Sequence, residues 1–424
     1  MAIVINTDTR LFSPVYNKME VQVFQNDASI RTKPDYRYIF DIKIVDYISG
    51  STVVFTAKVT PDPLLGRGVQ DLSGHVEKYI KENIVPHDDT DAIRITDNAV
   101  IRYFVEYGEE YRLTDSDPIV EYKNLVTGTD KYAFGASLEE HRWIDFYNNS
   151  EYLLYLFDTN NQGEFLTNYK TPSVYLTDLG WHWYLSETPT SVDFVRVLTY
   201  DSSGVLLGTF DIPNNSVTGL DQSRMNSVAT APQSLNNITG AFLVGAQPVI
   251  TSSVSSYTVQ CFQSPSSAVA EILYFTLDSE CFYETFRVHF KNEYGAYDSF
   301  NFKGNSKRLS DGESKDYTTN ANNITSTGLV YSHDTIKKIN YYTKYSNKLQ
   351  LESGLINETQ LNWLKEMVFS PQLFVEFVDN NGDHNFKPAI IKGSKSWREL
   401  KDQVDKVFNF SIELELADNF RQRR

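Results

Sequence analysis

The chain has 424 residues and is acidic, with 39 Lys and Arg against 55 Asp and Glu, which gives a formal net charge of −16 at pH 7. This balance argues against specific nucleic-acid binding, because phosphate contacts need clustered Lys and Arg. At this length we expect two to four domains. The 27 Tyr and 26 Phe occur mostly in alternating runs, which predicts a mainly β protein.

The cysteine content and the N-terminal residues indicate where the protein is synthesised. Cys261 and Cys281 are too few for a disulfide framework or a zinc site, so we expect each to pack as a small apolar residue. Residues 1–8 lack the basic start and apolar core of a signal peptide. Since no apolar run approaches the ~20 residues of a membrane span, we predict synthesis in the cytoplasm and no membrane contact.

The first predicted domain is a β-sandwich over residues 1–148. Its clearest elements are two strands at 37–45 and 52–59, joined by a turn with Gly and Ser. Asp71 can cap a short helix that follows the second strand. A further strand is predicted over 98–107 from its Val, Ile, Tyr and Phe content.

The second predicted domain is a central β-sandwich over residues 149–278. Segments 193–200 and 205–212 form a hairpin around an Asp-Ser-Ser-Gly turn. Residues 213–240 are rich in Asn, Ser, Thr and Gly, and this composition predicts a long polar loop. A strand is also predicted at 152–157.

The third predicted domain is β-rich and covers residues 279–424. It opens with a hairpin whose strands lie near 282–290 and 297–302, joined by a turn with Gly295. Apolar residues fall on one parity of the first strand, which predicts a single buried face. Residues 303–325 are polar and are predicted to form an exposed loop.

The same domain contains the strongest helix signal in the chain, near 357–368. Asn357 can cap this helix, and Gln360 completes a capping box. Ser370-Pro371 ends it, because the residue before a proline disfavours the helical region. The predicted fold class is therefore mainly β, a multi-domain β-sandwich architecture with a few short helices, one of them in the C-terminal domain.

No pattern in the sequence indicates catalysis, a cofactor or a metal. Asp379, Asn381 and Asp383 alternate as calcium ligands do. However, Gly382 lies between the ligands and not at the sixth position of a calcium loop, and no bidentate Glu follows at the twelfth, so a hairpin turn is the favoured interpretation. The acidic run 88–91 is interpreted as a solvated loop. The seven His have no metal-ligand spacing, and no Gly-x-Ser-x-Gly motif is present. We predict no enzyme activity and no catalytic, cofactor-binding or metal-binding residues.

Trp181, Trp183 and Tyr184 form a dense aromatic segment with two interpretations. Trp181 and Trp183 share one side of a strand and can form a platform on which a sugar stacks. Burial in a sandwich core is the commoner fate of such residues. These three residues are the candidate interaction surface of the chain.

Three stretches of the chain carry a resemblance to known proteins. The first is Ser13-Pro14-Val15-Tyr16-Asn17, the hairpin at 37–59, and Pro61-Asp62-Pro63-Leu64-Leu65-Gly66-Arg67-Gly68 with the residues up to 73. The second is the hairpin segment 288–302, with Asn292-Glu293-Tyr294-Gly295 at its turn. The third comprises segments 361–364, 369–375, 387–391 and 410–415.

In the order of these pieces the chain resembles virion structural proteins of tailed phages that infect Bacteroidetes, the crAss-like phages included. The resemblance implies a ring-forming neck or tail subunit that assembles with copies of itself and with adjacent tail or portal-side proteins. It implies location in the virion, and an acidic surface there would repel packaged or exiting DNA. The alternative is a receptor- or glycan-binding tail or baseplate protein that uses Trp181 and Trp183, and a tail-associated glycosidase is a third interpretation.

Overall fold

A computed structural model describes most of the chain. The described residues are 3–45, 51–80, 91–96, 99–157, 162–186, 192–214, 225–238, 248–279, 284–318, 322–331, 338–392 and 407–423. The chain divides into two compact units, which are unit 1 (residues 1–279 and 291–298) and unit 2 (residues 280–290 and 299–424).

The structure confirms the predicted fold class, since the described chain is mainly β with several sheets and few short helices. The strands with residues up to 279 are β1 (Ile3–Thr7), β2 (Phe12–Pro14), β3 (Glu20–Gln25), β4 (Arg37–Val45), β5 (Thr52–Val59), β6 (Arg67–Asp71), β7 (Ile93–Ile95), β8 (Val100–Tyr111), β9 (Val120–Thr127), β10 (Lys131–Phe134), β11 (Ser173–Val174), β12 (Trp181–Leu185), β13 (Phe194–Tyr200), β14 (Leu206–Pro213), β15 (Met225–Ala229), β16 (Ser256–Ser264), β17 (Ser267–Ala268) and β18 (Leu273–Leu277). The later strands are β19 (Phe286–Lys291), β20 (Tyr297–Phe302), β21 (Lys307–Thr318), β22 (Asn322–Thr325), β23 (Gly328–Tyr331), β24 (Lys338–Asn357), β25 (Leu373–Val378), β26 (His384–Ile391) and β27 (Val407–Arg423). The helices are α1 (Ala28–Arg31), α2 (Ser73–Val76), α3 (Glu140–Asn149), α4 (Pro232–Asn237) and α5 (Glu358–Phe369), with two 3₁₀ turns at Glu77–Tyr79 and Glu151–Tyr155.

The described residues of unit 1 form four sheets. In the first half, β1-β3-β6 and β2-β10-β8-β4-β5 enclose an aromatic core in which Tyr38, Phe40, Tyr103 and Tyr107 are almost fully buried. In the second half the order is β11-β18-β16-β13-β14 in one sheet and β12-β15-β7 in the other. Strand β7 comes from the first predicted domain and pairs with β15 of the second, so the two segments share a sheet.

The predicted hairpins of unit 1 are present with nearly the predicted bounds. Strands β4 and β5 pair from Tyr38–Val59 to Val45–Thr52. Strands β13 and β14 pair around Asp201, whose side chain accepts hydrogen bonds from the backbone N–H of Ser203 and Val205. Local turn chemistry and a period of two were therefore sufficient to locate these elements.

Two segments of unit 1 differ from the composition-based predictions. Strand β15 and helix α4 lie inside the segment 213–240 that composition predicts to be a loop. All five residues of β15 are buried, and Pro232 opens α4, where its missing N–H costs nothing. Residues 151–155 form a 3₁₀ turn where a strand was predicted. At β15 and α4, whose residues are largely buried, tertiary packing outweighs the local preference.

Unit 2 is built on a seven-stranded sheet of order β20-β19-β25-β26-β27-β24-β21. Strand β19 is buried on both faces, which corrects the prediction of a single buried face. Helix α5 has the predicted capping box, with the Asn357 side chain accepting from Gln360 N and the Gln360 side chain accepting from Asn357 N. Its residues Trp363, Leu364 and Met367 are buried, and the Trp363 ring lies 5.4 Å from that of Phe290.

Candidate functional site

Strands β21, β24 and β27 extend beyond the core of unit 2 as a ribbon. All twelve residues of β21 are exposed, and no residue of β24 between 338 and 348 is buried. Leu349, Leu351 and Ser353 of β24 are buried in alternation, so the core of unit 2 begins at Leu349. We define the ribbon as 307–318, 338–348 and 417–423. The ribbon corrects the predicted loop at 303–325, because most of that segment is a regular exposed strand.

Cross-strand pairs hold the ribbon together. Strand β21 pairs with β24 from Lys307–Gln350 to Thr318–Lys338, and the backbone of 419–423 pairs with the other side of β24. Lys338 Nζ lies 2.7 Å from the Asp316 carboxylate, and the rings of Tyr317 and Tyr341 are 6.1 Å apart. Such pairs stabilise a sheet by only about 0.2–1 kcal/mol each, so the ribbon has little stabilisation of its own.

The ribbon exposes apolar side chains and an open edge. Leu309, Tyr317, Tyr341 and Tyr345 are between 36% and 50% exposed. Strand β21 is the last strand in its sheet, contains no proline and spans about 40 Å at ~3.4 Å per residue. An open edge of this kind is a template for pairing with another chain.

A groove lies at the base of the ribbon, with a volume of about 520 Å³. Its apolar lining includes Leu309, Leu349, Phe377 and Leu416, and its charged lining includes Arg308, Lys348, Lys387 and Asp379. Lys387 Nζ lies 5.3 Å from the centre of the Phe377 ring, and Lys348 Nζ lies 3.1 Å from the Glu413 carboxylate. We call this cavity the basal groove.

A buried polar network occupies the interior of unit 2. The Glu376 carboxylate accepts hydrogen bonds from His289 Nε2 at 2.7 Å and from His384 Nδ1 at 2.6 Å, and Arg287 Nε lies 3.7 Å away. Burial alone would raise the pKa of Glu376, but the two imidazole hydrogen bonds and the Arg287 charge lower it to about 2. Because a carboxylate only accepts, the ring nitrogen of each histidine that faces Glu376 carries a proton.

Ser299, His289 and Glu376 are linked in the order of a nucleophile, a general base and the carboxylate that orients it, but the base is fully buried. Ser299 Oγ lies 3.0 Å from His289 Nδ1. The His289 side chain is fully buried and that of Glu376 is 5% exposed. A general base must come within hydrogen-bond reach of its substrate. We therefore interpret the network as structural.

Sequence reasoning missed this network. Arg287 and His289 share one side of β19, a signal visible as a period of two. Their partner Glu376 is 87 residues from His289, and only the pairing of β19 with β25 brings the two strands together. The sequence does not specify that pairing.

The three residues of the candidate interaction surface are buried. Trp181, Trp183 and Tyr184 are 5%, 2% and 1% exposed. Trp183 Nε1 donates to the Tyr297 carbonyl at 3.2 Å, and the Tyr184 ring stacks on Phe157 at 4.1 Å. Because both faces of β12 are packed, these rings lie in the interior of unit 1 and not on a surface, and no sugar can stack on them there.

The remaining chemical candidates are accounted for by local structure. Asp379 Oδ1 accepts from the backbone N–H of Asn381 and Asp383, which makes the segment a hairpin turn with Gly382 at φ +88°. Within the described ranges, no group of three His, Cys, Asp or Glu is arranged to hold a metal ion. Cys261 is free and buried, and burial raises the pKa of its thiol. Cys281 and residues 88–90 lie outside the described residues.

No family model and no curated protein matches the chain. Among the helices that the structure describes, none has the length and apolar character needed to cross a membrane.

Proposed function

We propose that this protein is a structural component of a tailed-phage virion, a ring-forming neck or tail subunit that assembles with copies of itself and with adjacent tail or portal-side proteins. The ribbon is the single observation that supports assembly with other proteins. The three stretches that resemble virion proteins support the phage part, and they include the hairpin β19–β20 and helix α5.

The ribbon supports assembly on energetic grounds. A sheet is stabilised chiefly by burying one face, and the ribbon has an exposed β21 and no buried residue in the outer part of β24. When another protein covers the exposed Tyr and Leu side chains and pairs with the open edge, the free energy of the system falls. Permanent complexes usually bury more than ~2,000 Å², so the ribbon would be one part of such a contact.

The distribution of charge supports a head-to-tail arrangement of copies. Unit 1 carries 20 Lys and Arg against 37 Asp and Glu, a net charge of −17, whereas unit 2 carries 19 against 18, a net charge of +1. Long-range repulsion therefore disfavours contacts between two copies of unit 1 more than contacts of unit 1 with unit 2. A contact between different surfaces of identical subunits is heterologous, and such contacts generate rings when they close.

The first test is the mass of the purified chain in solution, with negative-stain imaging of the same sample. We expect closed rings. A protein that remains monomeric at its highest soluble concentration would contradict the proposal, and a compact trimer that binds surface polysaccharide would favour a receptor-binding protein.

A paired set of variants tests the role of the ribbon. Replacing Tyr317 and Tyr341 by Ser removes two exposed rings from the ribbon, and we expect it to weaken ring formation. Tyr274→Ser is the control, because Tyr274 is 55% exposed and lies on β18, which is not part of the ribbon. Equal effects of the two changes would show that the ribbon has no special role.

A further inference from the structure

The turn of the hairpin β19–β20 is buried, although turns usually lie on the surface of a protein. Residues 291–298 belong to unit 1, whereas the strands on either side of them continue in the sheet of unit 2. Asn292, Tyr294, Ala296 and Tyr297 are between 0% and 6% exposed. Buried polar groups need hydrogen-bond partners, and in this turn the partners come from the rest of unit 1.

The first half of unit 1, which ends at residue 149, bonds to this turn through the segment 135–142. The backbone N–H of Ser137 donates to the Glu293 carbonyl at 2.8 Å. Arg142 forms an ion pair with the Glu293 carboxylate. The backbone at Gly135 packs so closely on Gly295 that no space is left for a Cβ there.

The second half of unit 1, which begins at residue 151, bonds to the same turn. The Asn168 side-chain amide donates to the Glu293 carboxylate at 2.6 Å. The Tyr155 hydroxyl donates to the Tyr294 hydroxyl at 2.9 Å, and the latter donates to Asn168 Oδ1 at 3.2 Å. The single carboxylate of Glu293 is therefore bonded to both halves of unit 1.

We propose that residues 291–298 are a latch that holds the two halves of unit 1 together and that opens only when the strands β19 and β20 leave the sheet of unit 2. The stability of unit 1 then depends on a sheet that is not its own. The latch is a property of the single chain and does not depend on the proposed ring assembly.

The strands that carry the latch are fixed in unit 2. Strand β19 is buried on both faces, and it pairs with β25 from Val288–Val375 to Phe290–Leu373. The next residue, Lys291, is the last of β19 and the first of the latch. Because the strand is continuous across this boundary, withdrawal of the turn breaks the ladder. Such a coupling is reciprocal, so weakening the ladder weakens the latch.

The first experiment measures hydrogen exchange by mass spectrometry in the full-length protein, in peptides that contain the Ser137 amide. Glu293→Ala removes the carboxylate that joins the halves, and we expect exchange at Ser137 to become roughly 10-fold faster. Glu293→Gln keeps an acceptor and is expected to have a smaller effect. Glu121→Ala is the matched control, because the Glu121 carboxylate also pairs with two cations of unit 1, Lys58 and Lys123, away from the latch. We expect wild-type exchange at Ser137 in the control.

The second experiment tests the dependence on unit 2 with the same readout. Val375 is fully buried on β25, and Val375→Ala is expected to speed exchange of the β19 amides on the order of 30-fold. We expect the Ser137 amide to speed up by a similar factor, although it lies in unit 1. Val378→Ala makes the same chemical change at the exposed end of the same strand, and we expect it to leave both sets of amides at the wild-type rate.

Each outcome decides one part of the latch. Wild-type exchange at Ser137 in Glu293→Ala would show that the turn does not hold the halves together. Faster exchange in β19 with wild-type exchange at Ser137 in Val375→Ala would overturn the dependence on unit 2. If Val375→Ala unfolds unit 2 altogether, the reading is the same, because the Ser137 amide must then lose its protection as well.

Discussion

The carboxylate of Glu376 accepts a hydrogen bond from Nε2 of His289 at 2.7 Å, across strands that are distant in sequence and adjacent in the sheet of unit 2. Both side chains are buried, and Arg287 and His384 complete the set of groups that face the carboxylate. A buried charge is tolerated only when its partners stay in place. The network therefore fixes how β19, β25 and β26 pack.

Glu376→Gln is expected to destabilise unit 2 by about 3–5 kcal/mol, because it removes the buried carboxylate that faces Arg287 and accepts hydrogen bonds from His289 and His384. The measurement is urea unfolding of the full-length chain. Asp383→Asn is the matched control, since it also removes one negative charge and Asp383 is exposed at the turn of the same hairpin. A loss of similar size in both variants would show that the buried network contributes nothing specific.

The pH dependence of stability follows from the same carboxylate. Its pKa is lowered from 4.5 to about 2 in the folded protein, so the stabilisation is fully present above pH 4.5 and is lost as the pH falls toward 2. The stabilisation lost is on the order of 3 kcal/mol. We expect the difference in unfolding free energy between the wild type and Glu376→Gln to shrink across that window. The facing groups are Arg287 and His289 on β19 and His384 on β26. A difference that stays constant from pH 5 to pH 2.5 would assign the stabilisation to another group.

The elements that were predicted correctly are those specified by nearby residues. Helix α5 has its cap, capping box and terminating Ser370-Pro371 within the segment itself. The hairpin β13–β14 has its turn residues between its strands. In each case the physical signal and the structure that it produces lie within about 20 residues, so the sequence alone was sufficient.

The elements that were missed depend on distant partners. Strand β15 lies in a segment rich in polar residues and includes Asn226 and Ser227, yet all five of its residues are buried because it lies between β12 and β7. Strand β21 has no buried face, so no period of two marks it, and its pairing with β24 alone makes it a strand. The candidate interaction surface shows the same limit. The alternation of Trp181 and Trp183 is compatible with burial and with exposure, so the sequence alone does not decide between them.

The cap of helix α5 gives a graded test. Asn357→Ala removes the side-chain acceptor for Gln360 N and is expected to cost about 1 kcal/mol of stability. Asn357→Gly is expected to cost only a few tenths of a kcal/mol, since glycine is a good N-cap residue. Thermal or urea unfolding of unit 2 measures both. If alanine and glycine are equivalent at this position, the capping box does not stabilise the helix.

Gly295, at the turn of the hairpin β19–β20, combines a positive φ with a close backbone contact at its Cβ position. Gly295 has φ +77°, and a Cβ added there collides with the backbone carbonyl of Gly135. Gly204 has the same φ of +77° and has open space at the Cβ position. Gly204→Ala therefore pays only the backbone strain, about 1–2 kcal/mol.

Gly295→Ala causes the same strain and also displaces the backbone of Gly135 and its neighbours, which adds roughly 1–3 kcal/mol to the destabilisation. The turn is additionally held by Asn292, whose side-chain amide donates to the Leu166 carbonyl at 2.8 Å, so it has little freedom to move away. We expect the unfolding midpoint of unit 1 to fall clearly further for Gly295→Ala than for Gly204→Ala. Equal midpoints would mean that the turn is not packed against the backbone at 135, and that its glycine serves the turn alone.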